Sequence, residues 1–276
     1  MARAQQTCLQ HVATFSDSLT ESSALVFTKA GLWTLDDGPS TAIFRIDPAT
    51  GAILQRVAVS GYATEDVEEL TADAHYLYLG DFGNNHAPRK GFTILRIRQA
   101  DIGNAATQTV PAEAIHFIYP DFDTVPLFAS VGQFDCEAMV AAGDSLYLFT
   151  KRRADNQTVL YALPKTPGDF KAKRLAAFDA GGLITGAALD EKTHQLALVG
   201  YEKGHKNSFV WLLNNFKGAA FFTGAARRIP ITSGTQGWQT EGIAYKHNGE
   251  LYISCEHTTD VNCGLYKISC KALMKM

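Results

Sequence analysis

The chain has 276 residues, of which 46% are hydrophobic and 11% aromatic, enough apolar material for one large domain or two small ones. Its formal net charge is -3 and its basic residues form no long run, so it lacks the charge pattern of a nucleic-acid-binding or membrane-surface protein. We therefore expect a globular monomer that binds neither nucleic acid nor membranes, and whose partners are small molecules or saccharides.

A short unit recurs along the chain, with a small or acidic start, an apolar strand, a turn and a second strand rich in Leu and Tyr. In chain order the copies begin at Glu21, Asp66, Asp135, Ile184 and Gln239. The interval from Glu68 to Leu77 equals that from Glu137 to Leu146, nine positions in each case. Equal spacing indicates one repeated structural unit.

Each unit continues into further strands. Third strands are predicted at 42–46, 93–97, 159–163, 208–213 and 264–268, and fourth strands near 53–59, 114–119, 174–179 and 227–232. Units of four strands with alternating apolar and polar residues are typical of propeller blades. The predicted fold class is all-β, a single five-bladed β-propeller, with a six-bladed propeller as the alternative. No segment predicts a helix of three turns.

The two chain ends complement each other. The fifth unit stops at Cys270 without an outer strand, whereas 8–15 form a spare strand before the first unit. We predict that this N-terminal strand completes the last blade, because closure removes an open sheet edge. The propeller then spans 8–270, with a C-terminal tail at 271–276. Residues 1–7 are expected to be disordered or the remnant of an export signal, because Ala2-Arg3-Ala4 has the form of a signal-peptide end.

The five cysteines fit an exported, closed ring. Antiparallel pairing of 8–15 with 265–270 places Cys8 opposite Cys270, and Cys255 and Cys263 flank one hairpin loop within the distance a disulfide requires. We predict both disulfides, with Cys136 free inside the propeller, and an extracytoplasmic location, periplasmic or secreted. Five buried free thiols in a cytosolic protein are the alternative.

Carboxylates recur at the starts of the inner strands, which line the central channel of a propeller. Glu68, Glu137 and Glu241 share one repeat position, which Ser23 and Gly186 occupy in the other blades. Two residues earlier, on the same strand face, lie Glu21, Asp66, Asp135 and Gln239. A ring rich in oxygen and without thiolates suits a hard ion such as Ca²⁺. The predicted metal ligands are Glu68, Glu137, Glu241, Asp66 and Asp135.

The function of these carboxylates has alternatives. They accept backbone hydrogen bonds at strand starts, or they bind a cation, or Glu68, Glu137 and Glu241 act as catalytic acids and bases. The predicted function is an exported binding propeller that holds a divalent cation and a small polar or saccharide ligand. A hydrolase of a glycoside, lactone or phosphoester and a protein-interaction platform are the alternatives, and whether the chain is an enzyme stays open.

The loops that leave the second strands share one rim in this repeat. The ligand-binding residues predicted there are Asp81, Asn84, Asn85, Lys151 and Arg152. The segment from Asp81 to Asn85 builds either a ligand loop or an ordinary Asx turn. The basic segment gives either a positive sector for a carboxylate or phosphate, or a solvated loop.

The motif Gly-Asp-x-Gly-Asn-Asn stands at 80–85, and its surroundings resemble a group of poorly characterised exported bacterial β-propellers, common in Bacteroidetes. Segments 21–25, 134–138 and 240–245 extend the resemblance over most of the chain. It implies a propeller fold and export, without an assigned reaction. A fainter similarity to gluconolactonase-type and phytase-like propellers lies in the Glu-Gly-hydrophobic-Ala sequence at 241–244.

Overall fold

A computed structural model describes residues 8–85, 88–232 and 237–269. These residues form strands β1 to β22, numbered along the chain, and a few very short helices. The helices are Gln99–Asp101, Phe122–Thr124, α1 (Leu127–Ser130) and Phe221–Thr223. The expectation that no three-turn helix occurs is confirmed for this part of the chain. Within it, no helix has the length and apolarity to cross a membrane.

The strands form five sheets arranged as the blades of a propeller, which confirms the predicted five-bladed fold. The inner strands are β2 (Ser22–Thr28), β6 (Val67–Ala72), β11 (Cys136–Ala142), β16 (Leu183–Asp190) and β20 (Thr240–Tyr245). The second strands are β3 (Gly31–Asp36), β7 (Tyr76–Asp81), β12 (Ser145–Thr150), β17 (Gln195–Glu202) and β21 (Leu251–Cys255). The third strands are β4 (Ile43–Ile46), β8 (Phe92–Arg98), β13 (Gln157–Pro164), β18 (Lys206–Asn214) and β22 (Gly264–Ile268). The fourth strands are β5 (Ile53–Val59), β10 (Glu113–Ile118), β15 (Lys173–Asp179), β19 (Ala225–Pro230) and, in the last blade, β1 (Leu9–Thr14).

The N-terminal strand closes the ring as predicted. Strand β1 pairs antiparallel with β22, with Leu9 opposite Ile268 and Thr14 opposite Gly264. Beyond this ladder the amide of Ser269 donates a hydrogen bond to the carbonyl oxygen of Cys8 at 2.8 Å. Cys270 lies outside the described residues, so the Cys8–Cys270 disulfide stays a prediction.

The predicted Cys255–Cys263 disulfide is corrected by the structure, in which both residues are buried free thiols. The strand register supplies the reason. Cys255 pairs with Gly264, so Cys263 is one position out of register and faces the other side of the sheet. The two thiols accordingly pack in different hydrophobic clusters. Cys136 is free and buried, as expected.

Two short strands that the sequence did not predict link neighbouring blades. Strand β9 (Thr107–Val110) lies in the chain between two strands of the second blade, yet it pairs in parallel with β5 of the first. Strand β14 (Gly168–Lys171) belongs to the third blade by sequence and pairs in parallel with β10 of the second. The second and third blades each give a strand to the blade before them.

The hydrophobic core lies between the blades. Separate clusters of buried side chains fill the spaces between each pair of neighbouring blades, including the space between the last blade and the first. The cluster between the second and third blades is aromatic, and the ring of Tyr119 lies 5.1 Å from that of Phe134 and 4.7 Å from that of Tyr161. Rigid packing between blades fixes the inner strands relative to one another.

Each inner strand carries a register irregularity close to its start, where one extra residue faces its partner strand. The extra residues are Ser23, Glu68, Glu137 and Thr185, and in the last blade the irregularity spans Glu241 and Gly242. A β-bulge leaves a residue unpaired and redirects its side chain. The repeat alignment predicted Gly186 at this place in the fourth blade, and the structure corrects it to Thr185. Gly186 instead lies against the carbonyl oxygen of Glu241, where a side chain has no room.

Candidate functional site

The inner strands bring an acidic cluster together at the end of the channel where they begin, which we call the funnel. Carboxylate oxygens of Asp37, Asp66 and Glu68 all lie within 4.8 Å of one another, and we call this group the first trio. Oxygens of Glu68, Asp135 and Glu137 meet the same criterion and form the second trio. Four of the five predicted metal ligands thus converge, and Glu68 belongs to both trios. Asp37 is a member of the first trio that the sequence did not predict.

Glu68 lies at the junction of the two trios, buried and incompletely bonded. Its Oε1 atom has no hydrogen-bond partner, and only 3% of the residue is exposed. Burial, together with the negative charges of Glu137 and Asp37, raises the pKa of Glu68 well above its usual value. Gly83 packs beneath this carboxyl, where an added Cβ would fall 2.5 Å from Glu68 Oε1. Any larger residue at position 83 would therefore place its side chain against the carboxylates of the first trio.

The second trio already contains basic partners. The Nζ atom of Lys151 forms an ion pair with Oε2 of Glu137, and both side chains are 4% exposed. The guanidinium of Arg153 lies 3.1 Å from Asp135 Oδ2 and 3.7 Å from Glu137 Oε1. Burial raises the pKa of Glu137 to about 7, although the charge of Lys151 opposes the shift. Among the described residues, Asp37 and Glu68 form no ion pair with a lysine or arginine.

Glu241, the fifth predicted metal ligand, belongs to neither trio and lies in a separate half of the funnel. The hydroxyl of Tyr201 donates a hydrogen bond to Glu241 Oε1 at 3.4 Å, and Lys151 Nζ lies 5.3 Å from the centre of the Tyr201 ring. Burial raises the pKa of Glu241 well above its usual value, and Lys151 only partly opposes this. The funnel therefore has an acidic part in the first three blades, and a second part in which Glu241 and Tyr201 of the last two blades lie near the ammonium of Lys151 from the third blade.

A second repeat position supplies the other side chains of the funnel. The residue after the second strand is Asp37, Lys151 or Glu256 in the first, third and fifth blades. In the fourth blade Tyr201 has the equivalent place, because Gly200 pairs with Ile184 as Asp36 pairs with Ser22. In the second blade the residue is Phe82, which packs between blades and not in the funnel. The sequence predicts that the loops leaving the second strands share one rim. The amides of Asp37, Lys151 and Glu256 instead bond back to the carbonyl oxygens before the inner strands, at 2.8, 2.7 and 3.0 Å. These bonds turn the side chains inward, and the aligned position was the signal that could have shown it.

Asp81 and Asn84 support the acidic cluster through the loop that follows β7. Asp81 forms a 3.0 Å ion pair with Arg89 and accepts a 2.9 Å hydrogen bond from the amide of Asp66. The amide of Asn84 donates to Asp135 Oδ1 at 3.0 Å, and its side-chain oxygen accepts a 2.8 Å hydrogen bond from the amide of Arg89. Both residues hold carboxylates of the trios in place.

The remaining predicted ligand residues have different environments. Asn85 is partly buried, and its Oδ1 atom has no hydrogen-bond partner. Lys151, expected on the rim, is buried in the funnel. Arg152 forms a 2.6 Å ion pair with Asp155 in the same loop, and Arg153 is the arginine that reaches the carboxylates.

Glu69 is a further buried carboxyl that the repeat pattern did not single out. Its Oε1 atom accepts a 2.9 Å hydrogen bond from the amide of Leu70, and its Oε2 atom accepts one at 3.4 Å from the amide of Ala187 in the fourth blade. Burial raises the pKa of Glu69 well above its usual value. A carboxyl that joins the second blade to the fourth spans the channel, so the funnel has a floor. Beyond it the inner strands enclose a cavity of about 120 Å³.

No protein-family model matches the chain, and no curated protein matches its sequence. Solved structures do match in shape. The PQQ-bound form of aldose sugar dehydrogenase from Streptomyces coelicolor is 13% identical, covers 96% of this chain and 99% of its own, and has a TM-score of 0.55. The chain is a β-propeller.

Other matching structures carry different activities. A crystal structure of glucose dehydrogenase is 12% identical over 95% of this chain and 99% of its own, with a TM-score of 0.52. Glutaminyl cyclase from Myxococcus xanthus is 9% identical over 94% of each chain, with a TM-score of 0.52. At these identities the likeness shows the fold alone, so the function has to be argued from the funnel.

Proposed function

We propose that this propeller binds one divalent cation, with Ca²⁺ as the best-suited ion, in the first trio of Asp37, Asp66 and Glu68. The observation that carries the proposal is the buried Oε1 atom of Glu68, which has no hydrogen-bond partner and lies among other carboxylate oxygens. A buried charge without a partner costs several kcal/mol. A cation in the first trio removes that cost.

The donor atoms favour a hard ion. Within the described residues both trios consist of carboxylates alone, with no imidazole or thiolate among them. Ca²⁺ takes six to eight oxygen ligands, whereas structural Zn²⁺ sites use Cys and His. Three carboxylates leave coordination positions open, and hydroxyl oxygens of a small polar or saccharide ligand are suitable to fill them. The structural similarity to aldose sugar dehydrogenase is a reason only to include aldoses in a ligand panel.

A hydrolase is the second candidate, and one observation favours it. Burial raises the pKa of Glu137, which lies beside the proposed ion, to about 7, and burial also raises the pKa of Glu241 well above its usual value. A carboxyl that titrates near neutral pH is suited to general acid-base catalysis. Turnover of chromogenic glycosides, lactones or phosphoesters that is lost in both Glu137→Gln and Glu241→Gln would support this candidate.

Thermal unfolding with and without Ca²⁺ tests the cation site directly. An ion that binds only the folded protein raises the Tm, so Ca²⁺ added after EDTA treatment should raise it in the wild type. Glu68→Gln keeps the shape but removes the charge shared by both trios, and should abolish the rise. Glu191→Gln, a change to an exposed carboxylate in the turn between β16 and β17, is the matched control and should keep it. A wild-type Tm that Ca²⁺ leaves unchanged would contradict the proposal.

A further inference from the structure

Lys151 occupies, in the third blade, the repeat position that Asp37 occupies in the first. Each residue follows a second strand, and the amide of each bonds to a carbonyl oxygen just before the inner strand of its blade. Asp37 contributes an oxygen to the first trio, whereas the Lys151 ammonium forms an ion pair with Glu137 in the second. One structural position therefore adds a negative charge to one trio and a positive charge to its neighbour.

We propose that Lys151 is an internal counter-ion that fills the second trio, so that the funnel binds one divalent ion and not two. The proposal rests on the cation function proposed for the first trio. Both trios have the same kind of donors and share Glu68, so without Lys151 they would form two adjacent sites joined by one carboxylate. Paired metal sites of this kind are common in hydrolytic enzymes. A tethered ammonium does not exchange with ions in solution, and the second site is thereby closed.

The surroundings of Lys151 hold its ammonium in the trio. Its side chain is 4% exposed and lies against the face of the Tyr201 ring, a contact that attracts a cation. The ion pair with Glu137 and the contact with the Tyr201 ring together fix the ammonium in the second trio.

Arg153 does not replace Lys151 in this function. Its side chain is 40% exposed and approaches the second trio from the solvent side, at 3.1 Å from Asp135 and 3.7 Å from Glu137. The Oε2 atom of Glu137 is bonded to Lys151. Loss of the lysine would leave buried carboxylate oxygens of Glu68 and Glu137 facing each other, and a second divalent ion would take the place of the ammonium.

The number of bound Ca²⁺ ions per chain tests the proposal, measured by equilibrium dialysis and isothermal titration with the metal alone. The wild type should bind one ion. Lys151→Met, which keeps the length of the side chain and removes its charge, should bind two. The double variant Lys151→Met/Glu137→Gln lacks both the ammonium and the acid it faces, and should again bind one. Lys165→Met, which removes a lysine that pairs with Asp73 away from the funnel, is the matched control and should bind one.

The outcomes separate this proposal from the one on which it rests. One ion in both the wild type and Lys151→Met overturns the counter-ion function and leaves the first trio as a cation site. No ion bound to the wild type but one bound to Lys151→Met would contradict the cation site in the first trio and support the counter-ion function of Lys151. Two ions bound to the wild type would overturn the counter-ion function of Lys151. So would no ion bound to either protein. A Lys151→Met protein that unfolds in EDTA and refolds in millimolar Ca²⁺ supports it, and one that stays unfolded in both counts against it.

Discussion

Asp37→Asn should stabilise the protein in the absence of divalent ions. Burial, followed by the negative charges of Asp66 and Glu256, raises the pKa of Asp37 from its usual 3.8 to about 7. The folded protein therefore binds this proton more tightly than the unfolded chain does. The carboxyl costs nothing below pH 3.8, and its cost grows as the pH rises to about 7 and is complete above that.

The size of the effect follows from this shift. At about 1.4 kcal/mol for each pKa unit, the full cost above pH 7 is about 4 kcal/mol. Asp37 is partly exposed and its neighbours share the same charge repulsion, so solvent screening and coupling reduce the expected gain to about 2 kcal/mol. Asparagine keeps the shape of the side chain and removes its charge.

Urea unfolding in EDTA at pH 8 and at pH 4 measures the gain. The midpoint for Asp37→Asn should exceed that of the wild type at pH 8 and match it at pH 4. Saturating Ca²⁺ should cancel or reverse the difference at pH 8, because only the wild type keeps all three ligands of the first trio and an ion at 100 times its Kd adds about 2.7 kcal/mol. Asp17→Asn, at an exposed position, is the control and should change neither midpoint. An Asp37→Asn variant that is no more stable at pH 8 in EDTA, or that keeps the full Ca²⁺ response, refutes this reasoning.

Three further predictions concern packing and thiols. Gly83→Ala should lower the free energy of unfolding by about 1 to 3 kcal/mol and remove the Ca²⁺-dependent rise in Tm, because its methyl group would push into the first trio. Gly186→Ala should cost about 3 kcal/mol in urea unfolding, because the new methyl group would meet the backbone of the last blade's inner strand, and Gly132→Ala, which has open space around it, serves as the control for both. Titration of the unreduced protein with a thiol reagent in guanidinium should find three free thiols if Cys8 and Cys270 are joined, whereas a count of five would exclude that disulfide.

The repeat in the sequence was sufficient to predict the five-bladed fold and the convergence of four of the carboxylates in the funnel. Glu68 and Glu137 have the same spacing to the strands that follow them, so their convergence was predictable. The bulge in each inner strand was not predictable. The structure shows that Thr185, and not Gly186, is the fourth-blade equivalent of Glu68 and Glu137. Alternating polarity reports which face of a strand is buried, and it does not reveal a local change in register.

The burial of polar loop residues was the other feature that the sequence could not predict. Lys151 follows a strand and precedes two arginines, a pattern typical of a solvated turn, and only the tertiary packing of neighbouring blades shows that it is enclosed. Strands β9 and β14 were missed for a related reason. Each is short, and each pairs in parallel with a strand of another blade, so no local hairpin pattern marks it.

Closure by β1 sets the order in which the ring is completed. Of the propeller's strands β1 is made first, yet it is the last to find its partner, because β22 is made after all the others. At roughly 5 to 20 residues per second, synthesis of the chain takes about 15 to 55 s, and during that time both the early strand and its future neighbours lack their native pairing. An unpaired strand edge also accepts a strand from another molecule. Until β22 is made, the last blade therefore has an open edge, and a high local concentration of nascent chains favours pairing between copies over closure of each ring on its own β1.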